Sequence, residues 1–238
     1  MTRRRWIADE VSGDKAALTG DHADHLVRVL RARVGQEFDI AMGATVRRGH
    51  VVSVAEGRVE FQLGEEVASA QILHVTLLLS IFKFDRMEWA IEKCTELGVS
   101  RIVPVIARRS DAHLVAASAK RVERWRRIAL QAAEQARRAF PPEVVDPAKL
   151  LDAMKEAVGL KIVLSEEEKQ TSLRDLVEGR EDGGEIVLAL GPEGGWAGEE
   201  LQGFVQAGWL SASLGSTILR AETAAIAATA IAMSELSA

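Results

Sequence analysis

The stretch from Ile186 to Thr223 reads IVLALGPEGGWAGEELQGFVQAGWLSASLGSTILRAET. Its first five residues are an apolar run that stops at Gly191-Pro192, the pattern of a parallel strand covered on both faces. Gly194-Gly195 then frees the backbone to take positive φ and to approach a ligand closely. Glu199, Glu200, Leu201, Phe204 and Val205 follow at helical spacing. A second apolar stretch, Trp209 to Leu214, ends at Gly215, and beyond Ile218–Thr223 an alanine-rich helix runs to Leu236. Two strands, each followed by a glycine loop, predict a ligand at their carboxyl ends, as in open α/β sheets.

The 238 residues are enough for one large domain or two smaller ones, and with 47% hydrophobic residues a sizeable core is expected. No apolar run reaches the roughly 18 residues of a membrane helix, and MTRRRWIADE lacks the apolar region of a secretory signal, so a cytoplasmic protein is expected. A single cysteine, Cys94, excludes an internal disulfide framework and a Cys-rich zinc site. The net charge of −5 argues against a nucleic-acid partner, but its distribution argues for one. Residues 101–138 carry ten Lys/Arg against three Asp/Glu, whereas residues 165–200 carry three against eleven. A basic stripe on an acidic protein can bind phosphates; it can also be a solvated helix face.

The chain divides near residue 70. Residues 1–68 read as short strands punctuated by Gly43, Gly49 and Gly57, with one helix from Asp21 to Arg31 capped by Thr19 or Asp21. Its spacing turns Leu26, Val29 and Leu30 to the core and brings His25, Arg28 and Arg31 together. After a polar link at 65–71 the period changes. Leu73–Ile81 is a buried strand, Met87, Ala90, Ile91, Cys94 and Leu97 form one face of a helix ended by Gly98, and Arg101–Ile106 is the next strand. A strand–helix–strand unit predicts a parallel sheet. Lys120–Arg138 reads as a long arginine-rich helix stopped by Pro141-Pro142. Lys161–Leu164 is a short strand, and the polar run after it is a loop holding one short helix.

The pairing of GPEGG with LGSTILRAET, in order and distance, resembles the RsmE-type ribosomal RNA uridine-N3 methyltransferases of the SPOUT class. The strings KFDRME (83–88), ELGV (96–99) and Glu134-Gln135 followed by Arg138 fit the same family, as does HLVRVLR near the N-terminus. The resemblance implies an α/β fold: a knotted SPOUT domain with a parallel sheet and deep trefoil knot at 72–238, and a small β-rich PUA-like RNA-binding domain at 1–68. It further implies S-adenosylmethionine as cofactor, a homodimer, and small-subunit (16S) ribosomal RNA, free or in the assembled subunit, as substrate. Ala221 departs from the threonine common in the family, and Arg108 from an acid before Arg109.

Absent motifs narrow the chemistry. Neither G-x-G-x-x-G, G-x-x-x-x-G-K-[ST] nor G-x-S-x-G occurs, tyrosine is missing altogether, and the five histidines show no metal spacing, so no metal is expected. Methylating C5 of a pyrimidine needs a thiolate, but Cys94 lies on an apolar helix face. Methylating a nitrogen or a ribose oxygen needs in-line alignment and removal of a proton. Arg220 is the candidate to stabilise charge developing on a uracil carbonyl oxygen, and Glu222 the candidate proton acceptor or orienter; the two could instead form an ion pair bracing the loop. The expected cofactor set is Leu164, Leu190, Gly191, Pro192, Glu193, Gly194, Gly195, Leu214, Gly215, Ile218, Leu219, Arg220 and Thr223. Within it Glu193 either fixes its loop or touches the ligand, and the leucines and isoleucine form apolar walls. The expected RNA-binding set is Arg5, His25, Arg28, Arg31, Arg109, Arg124, Arg127 and Arg138. A SPOUT enzyme acting on a ribose 2′-oxygen or a tRNA base, and a non-catalytic RNA-binding protein, are the alternatives.

Overall fold

The structure, a computed structural model, describes residues 5–42, 45–67, 74–179 and 184–236. Gly43, Leu73 and residues 68–71 of the expected link lie outside the described residues. The chain forms two compact units, Met1–Gln71 with Ala133–Pro141, and Ile72–Ala132 with Pro142–Ala238. Residues 133–141, read from sequence as part of the second domain, thus belong with the first unit.

In the first unit, β1 (Arg5–Ile7), β2 (Glu10–Ser12), β3 (Lys15–Thr19), β4 (Glu37–Met42), β5 (Thr45–Ala55) and β6 (Arg58–Glu66) form one sheet in the order β1-β4-β5-β6-β3-β2. All neighbours are antiparallel except the parallel β1–β4 pair. Leu18, Ile40, Val59 and Phe61 point inward and are fully buried. Gly49 is not a turn residue but sits inside β5, where an added Cβ would lie 2.4 Å from Ile40 Cγ1. The pairing of β5 with β6 shifts register beside it, so the missing side chain lets the strand bend over the core.

The expected helix from Asp21 to Arg31 is instead α1 (Gly20–Asp24) running into a π-helical turn, His25–Val29. Thr19 stands at the N-cap, but its side chain makes no capping bond. The wider turn, closed by Leu30 N–H to His25 O at 3.3 Å, rotates the later residues off the expected face. Leu26 is buried as expected, while Val29 is 63% exposed. Arg31 ends the turn at φ +52°.

In the second unit, β7 (Val75–Ser80), α2 (Phe84–Leu97) and β8 (Arg101–Ile106) form the predicted strand–helix–strand unit, with Gly98 ending α2 at φ +116°. Next come α3 (Ala112–Ser118), a 3₁₀ turn (Ala119–Arg121) and α4 (Val122–Gln135). The expected single helix 120–138 therefore starts later and ends earlier. Its stop is a left-handed cap at Arg137 (φ +58°), closed by Arg138 N–H to Ala133 O at 2.8 Å, upstream of the prolines. The chain continues through β9 (Glu143–Val144), β10 (Ala148–Lys149), α5 (Leu150–Glu156), β11 (Leu160–Leu164), α6 (Leu173–Val177), β12 (Ile186–Leu190), α7 (Gly198–Gln206), β13 (Leu210–Ala212) and α8 (Ala221–Leu236).

The seven strands run in the order β10-β8-β7-β12-β11-β13, with β9 beside β8, and every pairing is parallel. Alternate residues serve opposite faces. Leu77, Leu79, Leu188 and Leu190 pack on one side with Met87, Ile91, Trp125 and Ala225. Leu78, Val187 and Ala189 pack on the other with Trp196, Phe204 and Trp209. Two covered faces explain why these strands read as unbroken apolar runs rather than alternating ones. This is the α/β architecture expected from the sequence. Leu77 lies fully buried in the central strand, so Leu77→Ala is expected to cost about 2–5 kcal/mol. Urea unfolding should show the lower midpoint with an unchanged slope.

Candidate functional site

Three loops leave the carboxyl ends of adjacent strands and enclose a cleft of about 410 Å³. Gly191–Trp196 follows β12, Ser165–Glu167 follows β11, and Ser213–Arg220 follows β13 and leads into α8. Of the expected cofactor residues, the wall contains Leu164, Leu190, Gly191, Pro192, Glu193, Gly195, Leu214, Gly215, Ile218, Leu219 and Arg220. Gly194 and Thr223 do not line it; Gly194 is turned toward Arg109, and Thr223 is exposed on the first turn of α8. Sequence reasoning passed over Arg86, Ser165, Glu166, Glu167 and Trp196, which also form the wall. Arg86 was visible only as part of a matching string, and the Glu166–Glu168 run carries no signal beyond polarity.

The first glycine loop is held from both sides. Arg86, in the first turn of α2, donates to Glu193 Oε1 at 2.8 Å. Arg109 donates from Nη1 to the Gly194 carbonyl at 2.9 Å, so the structure sets this arginine against the glycine loop. Arg108 N–H reaches Glu200 Oε1 at 2.8 Å, and its side chain meets Glu199 at 3.1 Å. Ala197 N–H bonds the other Glu200 oxygen at 2.8 Å, so the two acids stand at the start of α7 where the helix macrodipole favours them. Trp196 Nε1 donates to the Leu164 carbonyl at 3.0 Å, tying the loop after β12 to the end of β11. Gly195 is at φ +68° and its N–H closes a turn on Pro192 O at 2.8 Å.

Arg220 and Glu222 do not pair. Arg220 is exposed at the cleft wall and meets no carboxylate among the described residues. Glu222 lies outside the wall, is 3% exposed, and faces Arg86 with Nε 3.8 Å from Oε1, while its Oε2 has no hydrogen-bond partner among the described residues. Arg86 therefore stands between Glu193 and Glu222 and links both glycine loops. Ile218, at 82% exposure, is the most exposed large apolar side chain of the wall.

The expected RNA-binding residues are placed in several ways. Arg28 is exposed beside Asp24 at 3.6 Å, and Arg31 and His25 are exposed, with the His25 ring 5.7 Å from that of Trp6. His25 is thus not a core histidine. Arg5 donates to the Arg137 carbonyl. Arg138 is half-buried, and desolvation pushes it down to about 10. On α4, Arg127 is exposed, whereas Arg124 is held by Glu88 through two bonds of 2.7 and 2.8 Å. Arg121 lies over the Phe84 ring at 4.8 Å. The basic stripe is in part a set of structural contacts.

A family model described as an RNA methyltransferase domain matches residues 69–233. The chain belongs to this RNA methyltransferase family. Ribosomal RNA small subunit methyltransferase E of Rickettsia conorii is 30% identical over 220 residues, spanning 91% of this chain and 88% of that protein. Its counterpart in a Synechocystis species is 32% identical over 229 residues, 94% of this chain and 75% of the relative. Among solved structures, ribosomal RNA small subunit methyltransferase E from Neisseria gonorrhoeae, bound to S-adenosyl methionine, superposes with a TM-score of 0.84 at 30% identity over 96% of each chain.

For a member of an RNA methyltransferase family, the state of the one cysteine decides whether thiolate chemistry is open. Cys94 is fully buried in α2, receives a 3.4 Å bond from Thr229 Oγ1, and lies outside the cleft. Burial pushes its thiol up to about 12, against the opposing hydrogen bond from Thr229. A thiol raised in the folded state stabilises the fold below its unfolded value of 9.0, and this contribution is lost as pH rises through about 12. Iodoacetamide near pH 8 is therefore expected to leave native Cys94 unmodified and to label it after denaturation. Replacing it by alanine should flatten the alkaline loss of stability between these two values, read by thermal unfolding against pH.

Proposed function

We propose that this chain transfers a methyl group from S-adenosylmethionine to N3 of a uridine in small-subunit ribosomal RNA. The observation that carries this reading is the cleft itself: glycine-rich backbone and apolar side chains make its walls, and Arg220, which has no ion-pair partner among the described residues, stands at one side. A chain of similar fold holds S-adenosyl methionine, and the relatives named above are ribosomal RNA methyltransferases. The residues fit such a ligand. Bare backbone at Gly191 and Gly195 allows close approach, and Leu164, Leu190, Leu214 and Leu219 supply an apolar surface for a purine.

When bound, S-adenosylmethionine supplies an electrophilic methyl group. Arg220, exposed at the cleft wall, neutralises charge that develops on a uracil carbonyl oxygen as N3 gives up its proton to solvent water. Glu222, buried and facing Arg86, serves as orienter rather than as proton acceptor. Residues 72–238, apart from the 133–141 segment that groups with the first unit, act as the methyltransferase domain, and residues 1–68 as a PUA-like RNA-binding domain. Exposed Arg28, Arg31 and Arg127 contact RNA phosphates. The functional form is a homodimer in the cytoplasm; the partly covered Ile226 and Ile231 of α8 offer apolar surface for a second copy.

Small ribosomal subunits from a strain lacking the gene, incubated with the protein and S-adenosylmethionine and digested to nucleosides, should yield 3-methyluridine by mass spectrometry. A 2′-O-methylated nucleoside, or no product, would overturn the assignment. In the same assay Arg220→Ala is expected to lose most single-turnover activity while its calorimetric cofactor affinity stays within a few-fold. Gly195→Val should weaken that affinity by at least about tenfold, or 1.4 kcal/mol, because a Cβ there meets Glu166 Oε1 at 3.2 Å on a backbone at φ +68°.

A further inference from the structure

One carboxylate of the cleft has no task in the scheme above. Glu166 lies two residues beyond the end of β11, on the cleft wall. Strands β11 and β12 are paired in parallel with Val163 level with Ala189, so their carboxyl ends open on the same side and at the same height. The turn that carries Glu166 is braced: Ser165 N–H bonds Ala212 O at 3.0 Å, Glu167 N–H bonds Ser165 Oγ at 3.2 Å, and Lys169 Nζ donates to the Glu166 carbonyl. The Glu166 carboxylate itself is exposed and accepts no hydrogen bond among the described residues. It lies against the bare backbone of Gly195, 3.2 Å from where a Cβ would stand. A side chain at 195 would push it away.

The other charged groups of the wall are unsuited to a neutral hydroxyl pair or already engaged. Glu193 is taken by Arg86, and Arg86 and Arg220 are donors only. Glu167 lines the cleft too, but it is the Glu166 carboxylate that lies nearest the bare backbone of Gly195. An ionised carboxylate is the strongest side-chain acceptor for a vicinal diol, since its two oxygens can receive both O–H donors. In dinucleotide-binding sheets, an acid beyond a strand near the glycine-loop strand takes the ribose hydroxyls for this reason.

We propose that Glu166 recognises the ribose hydroxyls of the nucleoside ligand in this cleft and makes the site selective for a ribonucleoside. This rests on the cofactor reading given under the proposed function. The test is calorimetry with S-adenosylhomocysteine and its 2′-deoxy and 3′-deoxy counterparts, on wild type, Glu166→Ala and Glu166→Gln, with thermal unfolding as the check on folding. Wild type is expected to bind at least one deoxy compound about tenfold more weakly than the parent, the loss of one hydrogen bond to a charged group. Glu166→Ala should weaken the parent by about the same factor and bring all three compounds to within about twofold of each other. Glu166→Gln, which keeps an accepting oxygen, should retain part of the preference. A folded Glu166→Ala variant that keeps the wild-type preference overturns the assignment, as does a wild type that binds all three compounds equally well. A wild type that binds none of them overturns the cofactor reading instead.

Discussion

The pairing of Ile186–Leu190 with a parallel neighbour on each side is the constraint from which the rest of the second unit follows. Its residues are level with Val75–Leu79 on one side and with Leu160–Val163 on the other, and all five are buried. A strand hydrogen-bonded along both edges and covered on both faces has no freedom to shift. A slip of one residue would exchange Leu188 and Leu190 with Val187 and Ala189 between two separate cores. The chain must therefore leave the sheet at Gly191, beside the ends of β11 and β13, and that coincidence of strand ends makes the cleft.

A cleft walled by loops needs those loops held still, and charge does much of this work. Arg86 joins Glu193 to the neighbourhood of the buried Glu222, and Arg109 holds the Gly194 carbonyl. Taking a carboxylate as deeply buried as Glu222 out of water is costly, and the Arg86 guanidinium at 3.8 Å is the cation that faces it. Removing Arg86 would leave that charge without its facing cation, so Arg86 and Glu222 act as one unit that sets the distance between the two glycine loops. Arg220 stays outside this network, exposed at the cleft wall and with no ion-pair partner among the described residues.

The arginines show how one residue type divides between architecture and surface. Arg124 is locked to Glu88, Arg126 reaches the Val144 carbonyl and Asp146, and Arg109 supports a loop. Arg28, Arg31 and Arg127 are exposed. The positive balance over residues 101–138 therefore overstates the charge available to a polyanion. The partners that consume it, such as Glu88 and Glu199, lie outside that window.

Much was legible in the chain alone. The apolar runs give β8, β11 and β12 nearly to the residue and hold β7 (Val75–Ser80) within the longer run Leu73–Ile81, because a strand covered on both faces is apolar along most of its length. The periodicity of Met87, Ala90, Ile91 and Cys94 gives α2 and its buried face, and the two glycine loops give the position of the cleft. Local pattern failed where local rules were overridden. The helix read at Asp21–Arg31 becomes a π-helical turn that exposes Val29, and α4 stops at a left-handed arginine that carries no glycine signal. Nor could it show that residues 133–141 group with the first unit. Only the tertiary structure decided the partners of charged side chains. Arg86 and Glu222 are 136 positions apart, and Glu166 meets Gly195 only because β11 and β12 lie side by side. The sequence by itself determined which residues must be buried and where the backbone must turn, because hydrophobic periodicity and glycine act locally. Which charges meet, and which are left to face a ligand, follows from strand order, a property of the folded sheet rather than of any segment of the chain.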